Sequence, residues 1–171
     1  MYGGGMGSRN SSSPTVTACT FDSNTASING GGIWFNGSSN GIVSDSTFSN
    51  NSAVTYGGAM HTQNSSPTFT NCTFTQNISL AKGGAISIAG ASSMTVSNCT
   101  IVSNISDSDN NGSGTTGGIS VISSGTLVIT NSIVADNRNR TDGSSTDNDI
   151  FNDTGTVTSD YNIVEFPFGY A

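Results

Sequence analysis

One acidic run in the sequence has the residue types and the spacing of a calcium-binding loop. The run Asp107-Ser108-Asp109-Asn110-Asn111-Gly112 carries side-chain oxygens at positions one, three and five, followed by the glycine of a sharp turn. Asp107, Asp109 and Asn111 are therefore candidate calcium ligands. Position twelve is Gly118 instead of a bidentate Glu, so a solvated acidic loop is the favoured interpretation and calcium binding is the alternative. Apart from calcium, the sequence predicts no cofactor.

A second acidic stretch has the residue type that acid–base chemistry on a glycoside would use. It contains Asp142, Asp147, Asp149 and Asp153. A lyase that acts on uronates would also need Arg or Lys beside such carboxylates, to bind the uronate and to abstract a proton. None of the four basic residues is expected in a strand column beside an Asp: Arg9, Lys82, Arg138 and Arg140. A solvated loop is therefore the favoured interpretation, and the sequence predicts no catalytic residue.

The three cysteines occupy one position of a repeat that is described below. Cys19, Cys72 and Cys99 share this position with Ser46 and Ser132. Cys72 and Cys99 belong to consecutive repeats, which places them within the Cα separation of a disulfide. An interchange of Cys with Ser in one inward column is typical of a position for small side chains, so buried free thiols are predicted. The number and spacing of the cysteines match no zinc motif.

The single histidine, His61, follows Met60, a residue that the alternation of apolar positions directs inward. Successive side chains of a strand point to opposite faces of its sheet. His61 is therefore predicted to be a surface residue, without the partners of a catalytic triad or a metal site.

The composition limits the classes of protein that could position these residues. The 171 residues include 4 Lys+Arg and 11 Asp+Glu, for a net charge of -7. Nucleic-acid binding is not expected, because it requires clustered basic residues. No apolar run approaches the roughly 18 residues of a membrane-spanning helix, so no membrane span is predicted. Because only 33% of the residues are hydrophobic, order must come from a regular pattern.

That pattern is a repeat of about 27 residues that occurs five times. Each copy opens on small residues, mostly glycines, and one apolar residue: Met6, Ile33, Met60, Ile86 or Ile119. A second apolar position holds an aromatic or β-branched residue: Phe21, Phe48, Phe74, Ile101 or Val134. Three residues later, every copy carries an asparagine: Asn24, Asn51, Asn77, Asn104 or Asn137. An inward asparagine at a corner is predicted to bond backbone groups of the neighbouring coils.

Each repeat contains three short strand-like segments separated by turn residues. Three strands and three turns in about 27 residues predict one coil of an all-β, single-stranded parallel β-helix (a β-solenoid) with about five to six coils. The right hand is expected because crossovers between parallel strands are right-handed. We expect residues 1–171 to form a single domain and a segment of a larger repeat protein. Within it, 107–115 are a loop insertion and 138–171 a degenerate last coil.

The paired motifs resemble those of a known family. Glycine-rich segments alternate in register with Phe-x-x-Asn segments, which are Phe21-Asp22-Ser23-Asn24, Phe48-Ser49-Asn50-Asn51 and Phe74-Thr75-Gln76-Asn77. Over residues 3–137 this pattern resembles the repeats of the chlamydial polymorphic outer-membrane proteins and related bacterial surface β-helix proteins, with a pectin-lyase-like architecture. The resemblance implies a secreted, surface-exposed module with a role in adhesion.

Hypotheses from three functional classes remain. The leading hypothesis is a non-catalytic structural and adhesive module, extracellular or on a cell surface. Its partners would be host or cell-surface glycans or proteins and further copies of its own repeats. The first alternative is a carbohydrate-binding or carbohydrate-active β-helix similar to polysaccharide lyases and hydrolases, since a fold alone does not fix a function. The second alternative is an ice-binding solenoid, in which outward threonine ladders order water.

Overall fold

The chain forms a stack of coils in which every coil contributes one short strand to each of several parallel sheets. The structure is a computed structural model that describes residues 2–109, 114–141, 144–147 and 149–165. It contains four six-stranded sheets, which we name sheets A to D, and strands are numbered along the chain. The predicted all-β parallel β-helix is confirmed, with coils of about 27 residues. Among the described residues, no helix is long and apolar enough to cross a membrane.

Sheets A and B form two sides of each coil. Sheet A consists of β1 (Met6–Ser8), β5 (Ile33–Asn36), β9 (Met60–Gln63), β13 (Ile86–Ala89), β17 (Ile119–Val121) and β22 (Ile150–Asn152). Sheet B consists of β2 (Thr15–Thr17), β6 (Ile42–Ser44), β10 (Thr68–Thr70), β14 (Ser93–Ser97), β18 (Thr126–Thr130) and β23 (Thr156–Asp160). All pairs within these two sheets are parallel and join equivalent positions of consecutive coils.

Sheets C and D complete the coil. Sheet C consists of β3 (Thr20–Asp22), β7 (Thr47–Ser49), β11 (Thr73–Thr75), β15 (Thr100–Val102), β19 (Ile133–Ala135) and β24 (Ile163–Val164). Sheet D consists of β4 (Thr25–Ala26), β8 (Ser52–Ala53), β12 (Ile78–Ser79), β16 (Ile105–Ser106), β20 (Arg138–Thr141) and β21 (Ser144–Asp147). The strands of sheet D were not among the three strand-like segments predicted for each repeat. The first four of them have two residues each, too few to show an alternation.

The last coil departs from the repeat in sheet D. There β20 pairs with β21 in antiparallel orientation, whereas β22, β23 and β24 continue sheets A, B and C in parallel. The chain therefore inserts a hairpin between the fifth coil and the sixth. Residues 166–171, the end of the predicted degenerate coil, lie outside the described residues.

The core is a narrow column of side chains enclosed by the four sheets. Its largest members are fully buried apolar residues, among them Phe35, Phe48, Phe69, Phe74, Met60 and Leu127. Phe48 stacks on Phe21 and on Phe74, and both ring-centroid distances are 4.8 Å. Each coil therefore needs only a few apolar residues, since every ring packs against its equivalents above and below.

The corners on both sides of sheet C are made by single residues in the left-handed conformation. Between sheets B and C these have φ of 50–54°: Ala18, Asp45, Asn71, Asn98, Asn131 and Tyr161. Between sheets C and D a second set has φ of 54–58°: Ser23, Asn50, Gln76, Ser103 and Asp136. Asn and Asp adopt this conformation more readily than most residues, which explains their frequency at these positions. The first set produces the turn between the strands of sheets B and C, as at Ala18.

The glycine pairs before sheet A have two separate roles. The first glycine of a pair, such as Gly30 with φ +67°, adopts the left-handed conformation. The second glycine has no such φ, but a Cβ atom on Gly31 would collide with the carbonyl oxygens of Gly58 and Ser52. The second position therefore excludes side chains because consecutive coils approach each other closely there.

Candidate functional site

The outer surfaces of sheets B and C carry columns of hydroxyl groups in register. One column on sheet C contains Thr20, Thr47, Thr73 and Thr100, and ends at Ile133. One column on sheet B contains Thr17, Ser44, Thr70, Ser97 and Thr130. Neighbouring hydroxyls on sheet B are hydrogen-bonded, at 3.2 Å between Thr17 and Ser44 and 3.1 Å between Thr70 and Ser97. We name these two columns the Thr/Ser face.

Acidic residues at the edges of sheet C are held by side chains of neighbouring coils. Asp22 accepts hydrogen bonds from Ser49 at 2.6 Å, from Asn50 at 2.9 Å and from Ser23 at 2.9 Å. These bonds, the one from Ser49 first, hold the pKa of Asp22 below its usual value. Asn71 donates to Asp45 at 3.1 Å in the same manner. The carboxylates are therefore fixed in position on an exposed edge.

One basic residue lies in a strand beside acidic residues, so the expectation that none would do so is wrong. Arg138 begins β20, and Asp147 of β21 lies opposite it in the antiparallel register. The Nη2 atom of Arg138 also donates to Oδ1 of Asp136 at 2.9 Å, and both side chains are about half exposed. Together with Ser103 and Ile105, this ion pair lines a groove of about 90 Å³. An exposed guanidinium beside a carboxylate can hydrogen-bond the hydroxyl and carboxylate groups of a sugar.

The candidate calcium loop is described only in part. Asp107 is fully buried and has a φ of 52°, whereas Asp109 is exposed. Asn111, the third candidate ligand, lies outside the described residues. Among the residues that the structure does describe, no group of three or more His, Cys, Asp or Glu side chains is placed to hold a metal ion. Calcium binding by this loop stays a prediction.

The repeated asparagines form a continuous hydrogen-bonded ladder inside the corner between sheets C and D. In the first four coils, both the backbone N–H and Nδ2 of the asparagine donate to Oδ1 of its equivalent in the next coil, at 2.8–3.0 Å. In four of the five residues Nδ2 also donates to a carbonyl of the preceding coil, such as that of Phe48 for Asn77. The members of this asparagine ladder are Asn24, Asn51, Asn77, Asn104 and Asn137.

An aspartate ends the asparagine ladder, which corrects its assignment to a solvated loop. Asp149 is fully buried, and its Oδ1 accepts from the backbone N–H of Asn137 at 3.2 Å and from Nδ2 at 2.8 Å. It thus takes the place of a sixth asparagine. The spacing could not predict this because the β20–β21 hairpin separates Asp149 from the preceding repeat. Of the other members of that acidic stretch, Asp153 is exposed and Asp142 lies outside the described residues.

The column of cysteines and serines is a second hydrogen-bonded corner. The backbone N–H of Cys19, Cys72 or Cys99 donates to the side-chain oxygen or sulfur of the next member, as from Cys19 to Ser46 at 3.1 Å and from Cys99 to Ser132 at 3.1 Å. Both hydroxyl and thiol can accept this bond, which explains their interchange. Cys72 and Cys99 are buried, but Cys19 is exposed, contrary to the prediction. It lies in the first coil that the structure describes, where the described residues cover it on one side only.

His61 is buried, contrary to the prediction that it lies on the surface. Although it points to the outer side of sheet A, it is 1% exposed, and its ring lies 5.6 Å from that of Tyr56. Tyr56 belongs to the segment before β9, which folds over this side and pairs in parallel with Asn29 and Lys82. Burial lowers the pKa of His61 to about 4. The burial of His61 was not predicted because the segment that covers it shows no periodic pattern in the sequence.

The residues beside His61 in the same outward column are buried as well. Trp34, one coil earlier, is covered by Tyr2, with 4.4 Å between ring centroids, and by the guanidinium of Arg9 at 5.5 Å. Three buried polar atoms of this column have no hydrogen-bond partner among the residues that the structure describes: Nε1 of Trp34, Nδ1 of His61 and Oγ of Ser87. Sheet A is therefore covered on both sides and leaves sheets B and C as the broad polar surfaces.

Comparison with known proteins agrees with this architecture. A family model described as a right-handed beta helix region matches residues 1–166. No curated protein and no solved structure matches the chain. Since the family model covers nearly the whole sequence, the chain belongs to the right-handed beta helix family.

Proposed function

We propose that this chain is a structural and adhesive module of a secreted or cell-surface protein, with no catalytic role of its own. The observation that carries the proposal is the Thr/Ser face, where equivalent hydroxyls continue from coil to coil without a break in register. We also propose that the repeats of this chain are of the type found in the polymorphic outer-membrane proteins. This assignment rests on the glycine-rich motifs, which precede the strands of sheet A, and on the Phe-x-x-Asn motifs, which run from sheet C to the asparagine ladder.

The geometry of this face suits many weak contacts better than one tight contact. Its columns repeat at the strand spacing of about 4.8 Å on a scaffold fixed by backbone pairing. A rigid array avoids the loss of side-chain and loop freedom that weakens flexible binding surfaces. Hydroxyl groups match the donors and acceptors of glycans, and several simultaneous contacts raise the overall affinity far above that of each. We therefore assign glycans or glycosylated proteins of a cell surface as partners.

A bead-retention experiment tests this proposal. Beads coated with the chain are passed over surfaces carrying a panel of glycans or intact cells. The variant Thr47→Ala/Thr73→Ala removes two hydroxyls from the Thr/Ser face, and we expect its retention to fall several-fold. The control Thr25→Ala/Ser52→Ala removes two hydroxyls from the outer side of sheet D and should bind like the parent. Absence of retention on every surface, or equal loss in both variants, would contradict an adhesive Thr/Ser face.

A second candidate function is carbohydrate cleavage, favoured by one observation, the groove of Arg138 and Asp136. A carboxylate could act on a proton of the substrate while the guanidinium binds a uronate. The test is release of reducing ends from a panel of polysaccharides by the parent chain and by Asp136→Asn. Release by the parent and its loss in the variant would replace the non-catalytic assignment. No release from any polysaccharide would leave the adhesive module as the function.

A further inference from the structure

Two thiols lie one above the other in the third and fourth coils. Cys72 and Cys99 occupy equivalent positions, between the register pairs Thr70–Ser97 and Thr73–Thr100. Strands of consecutive coils lie about 4.8 Å apart, which falls within the Cα separation of 4.4–6.8 Å that disulfides span. The pair therefore requires no rearrangement of the coils to come within bonding distance.

The two residues are already in contact. The backbone N–H of Cys72 donates to Sγ of Cys99 at 3.4 Å. The neighbouring thiol of Cys99 lowers the pKa of Cys72 below its ordinary value, whereas the neighbouring thiol of Cys72, together with burial, raises the pKa of Cys99. Cys72 is therefore the sulfur that ionises first, and the thiolate is the nucleophilic form.

The rest of the column shows that neither cysteine is needed for the fold. Ser46 and Ser132 occupy the same corner in the second and fifth coils and donate to the carbonyls two residues earlier, at 2.7 and 2.8 Å. Cys72 and Cys99 make the same contacts through sulfur at 3.3 and 3.2 Å. Hydrogen bonding and packing therefore do not require sulfur at two consecutive positions.

We propose that Cys72 and Cys99 are a redox-sensitive site at which an oxidant of the hydroperoxide class closes a disulfide between the third and fourth coils. The Cys72 thiolate attacks the peroxide, the O–O bond breaks, and a sulfenic acid and hydroxide form. The Cys99 sulfur then attacks the sulfur of Cys72, so that the S–S bond forms and the S–O bond breaks, and the sulfenic hydroxyl leaves as water with the proton of the Cys99 thiol. Two electrons pass from the two thiols to the peroxide. This inference goes beyond the proposed function and does not depend on it.

The closed form should be the more stable one. The bond would join residues one coil apart and so restrict the unfolded chain, while the coils keep their pairing. For a loop of this length we expect the melting temperature to rise by about 5–10 °C, and the reduced form to return on treatment with dithiothreitol.

The experiment uses Cys19→Ser, which removes the exposed thiol and keeps the pair. Hydrogen peroxide is added to this folded variant, and free thiols and intact mass are measured after denaturation. We expect both thiols to be lost, the mass to fall by two hydrogen atoms and the protein to remain monomeric. The matched control is Cys19→Ser/Cys72→Ser, in which serine restores the corner found at Ser46; it should keep the circular dichroism of the parent and show no such loss of mass.

Several outcomes would overturn the proposal. One is survival of both thiols under conditions that oxidise Cys19 in the parent chain. Another is a gain of oxygen atoms without loss of two hydrogens, which would mean that the sulfurs cannot meet. A third is disulfide-linked dimers in place of the intramolecular bond, and a fourth is an equal melting temperature for the oxidised and reduced forms.

Discussion

At the residue scale, the asparagine ladder shows why one side-chain type recurs in five coils. The corner requires an acceptor for two donors of the preceding coil and a donor for backbone carbonyls that water does not reach. The carboxamide of Asn77 does both, since Oδ1 accepts from Asn51 while Nδ2 donates to Phe48, Thr75 and Asn104. Asp149 can end the ladder because the last position only has to accept hydrogen bonds from Asn137 and does not have to donate one to a further asparagine of the ladder.

Asn77→Ala should therefore destabilise the protein by about 3 kcal/mol, because several buried donors and acceptors lose their partner at once. The control is Asn36→Ala, at a half-buried position whose single long bond to Gln63 is 3.4 Å. This control should change the free energy of unfolding by less than about 0.5 kcal/mol. Denaturant titrations of the two variants provide the comparison, and equal losses would mean that the ladder has no special role in stability.

His61 should make the stability of the protein depend on pH. Its pKa is lowered from 6.5 to about 4 because burial disfavours the charged imidazolium. The unfolded chain binds a proton near pH 6.5, whereas the folded chain does so only near pH 4. Stability is thus fully present above pH 6.5 and is lost as the pH falls between these values, by about 3 kcal/mol in all.

The matched variant for this prediction is His61→Ser, because Ser87 and Ser120 occupy the same buried column. Thermal melts of both proteins are recorded at pH values from about 7.5 to about 4, a range that includes the ordinary pKa of histidine. As the pH falls, the melting temperature of the parent should decrease more steeply than that of the variant. Since carboxylates titrate in both proteins alike, the difference between the two curves isolates His61. Parallel curves would show that the histidine is accessible to water.

At the element scale, the third strands of the coils depend on one inward side chain each. Phe48 is fully buried between Phe21 and Phe74, whereas Thr47, one residue earlier, belongs to the Thr/Ser face. Phe48→Asp would place a carboxylate between two rings, so we expect several kcal/mol of destabilisation. Thr47→Asp should be nearly silent in the same melting experiment. A larger loss of stability for Thr47→Asp than for Phe48→Asp would mean that the inward and outward sides of sheet C are the reverse of those described.

The insertion in the fourth coil can be tested by shortening it. The buried Asp107 and Thr116 belong to the coil itself, so removal of 109–114 restores the spacing of about 27 residues without touching them. We expect the far-ultraviolet circular dichroism to be unchanged, since surface loops tolerate changes of length. Addition of calcium provides a second measurement. A calcium-dependent rise in melting temperature in the parent but not in the shortened chain would identify the loop as a metal site.

The sequence predicts those elements that repeat and fails at those that occur once or are too short. The apolar, cysteine and asparagine columns have fixed spacing, so their register could be counted along the chain. The strands of sheet D are too short to show an alternation of apolar and polar residues. The burial of His61 depends on its contact with Tyr56, and the repeat pattern does not predict that contact. Cys19 has the spacing of a buried residue, but burial in a solenoid also requires a covering coil, and spacing alone does not supply one.

At the scale of the whole molecule, each coil contacts only its neighbours, so stability should be distributed along the axis. A defect in a middle coil then weakens contacts in two directions, whereas a defect in the first coil weakens them in one. Phe74 packs on Phe48 and also lies 5.6 Å from Phe69, while Phe21 is half-buried and stacks on Phe48 alone. The two rings are therefore a matched pair for measuring this coupling.

We expect Phe74→Ala to destabilise by about 3–5 kcal/mol and Phe21→Ala by about half as much, since only the former leaves an enclosed cavity. Hydrogen exchange should separate them further. In Phe74→Ala, amides of the second, third and fourth coils lose protection, because their strands pair across the damaged coil. In Phe21→Ala, the loss should stay within the first two coils, while sheet B amides of the fifth coil exchange as in the parent. A uniform loss of protection in all coils for both variants would show that the solenoid opens as one cooperative unit and that its coils are not separately stable.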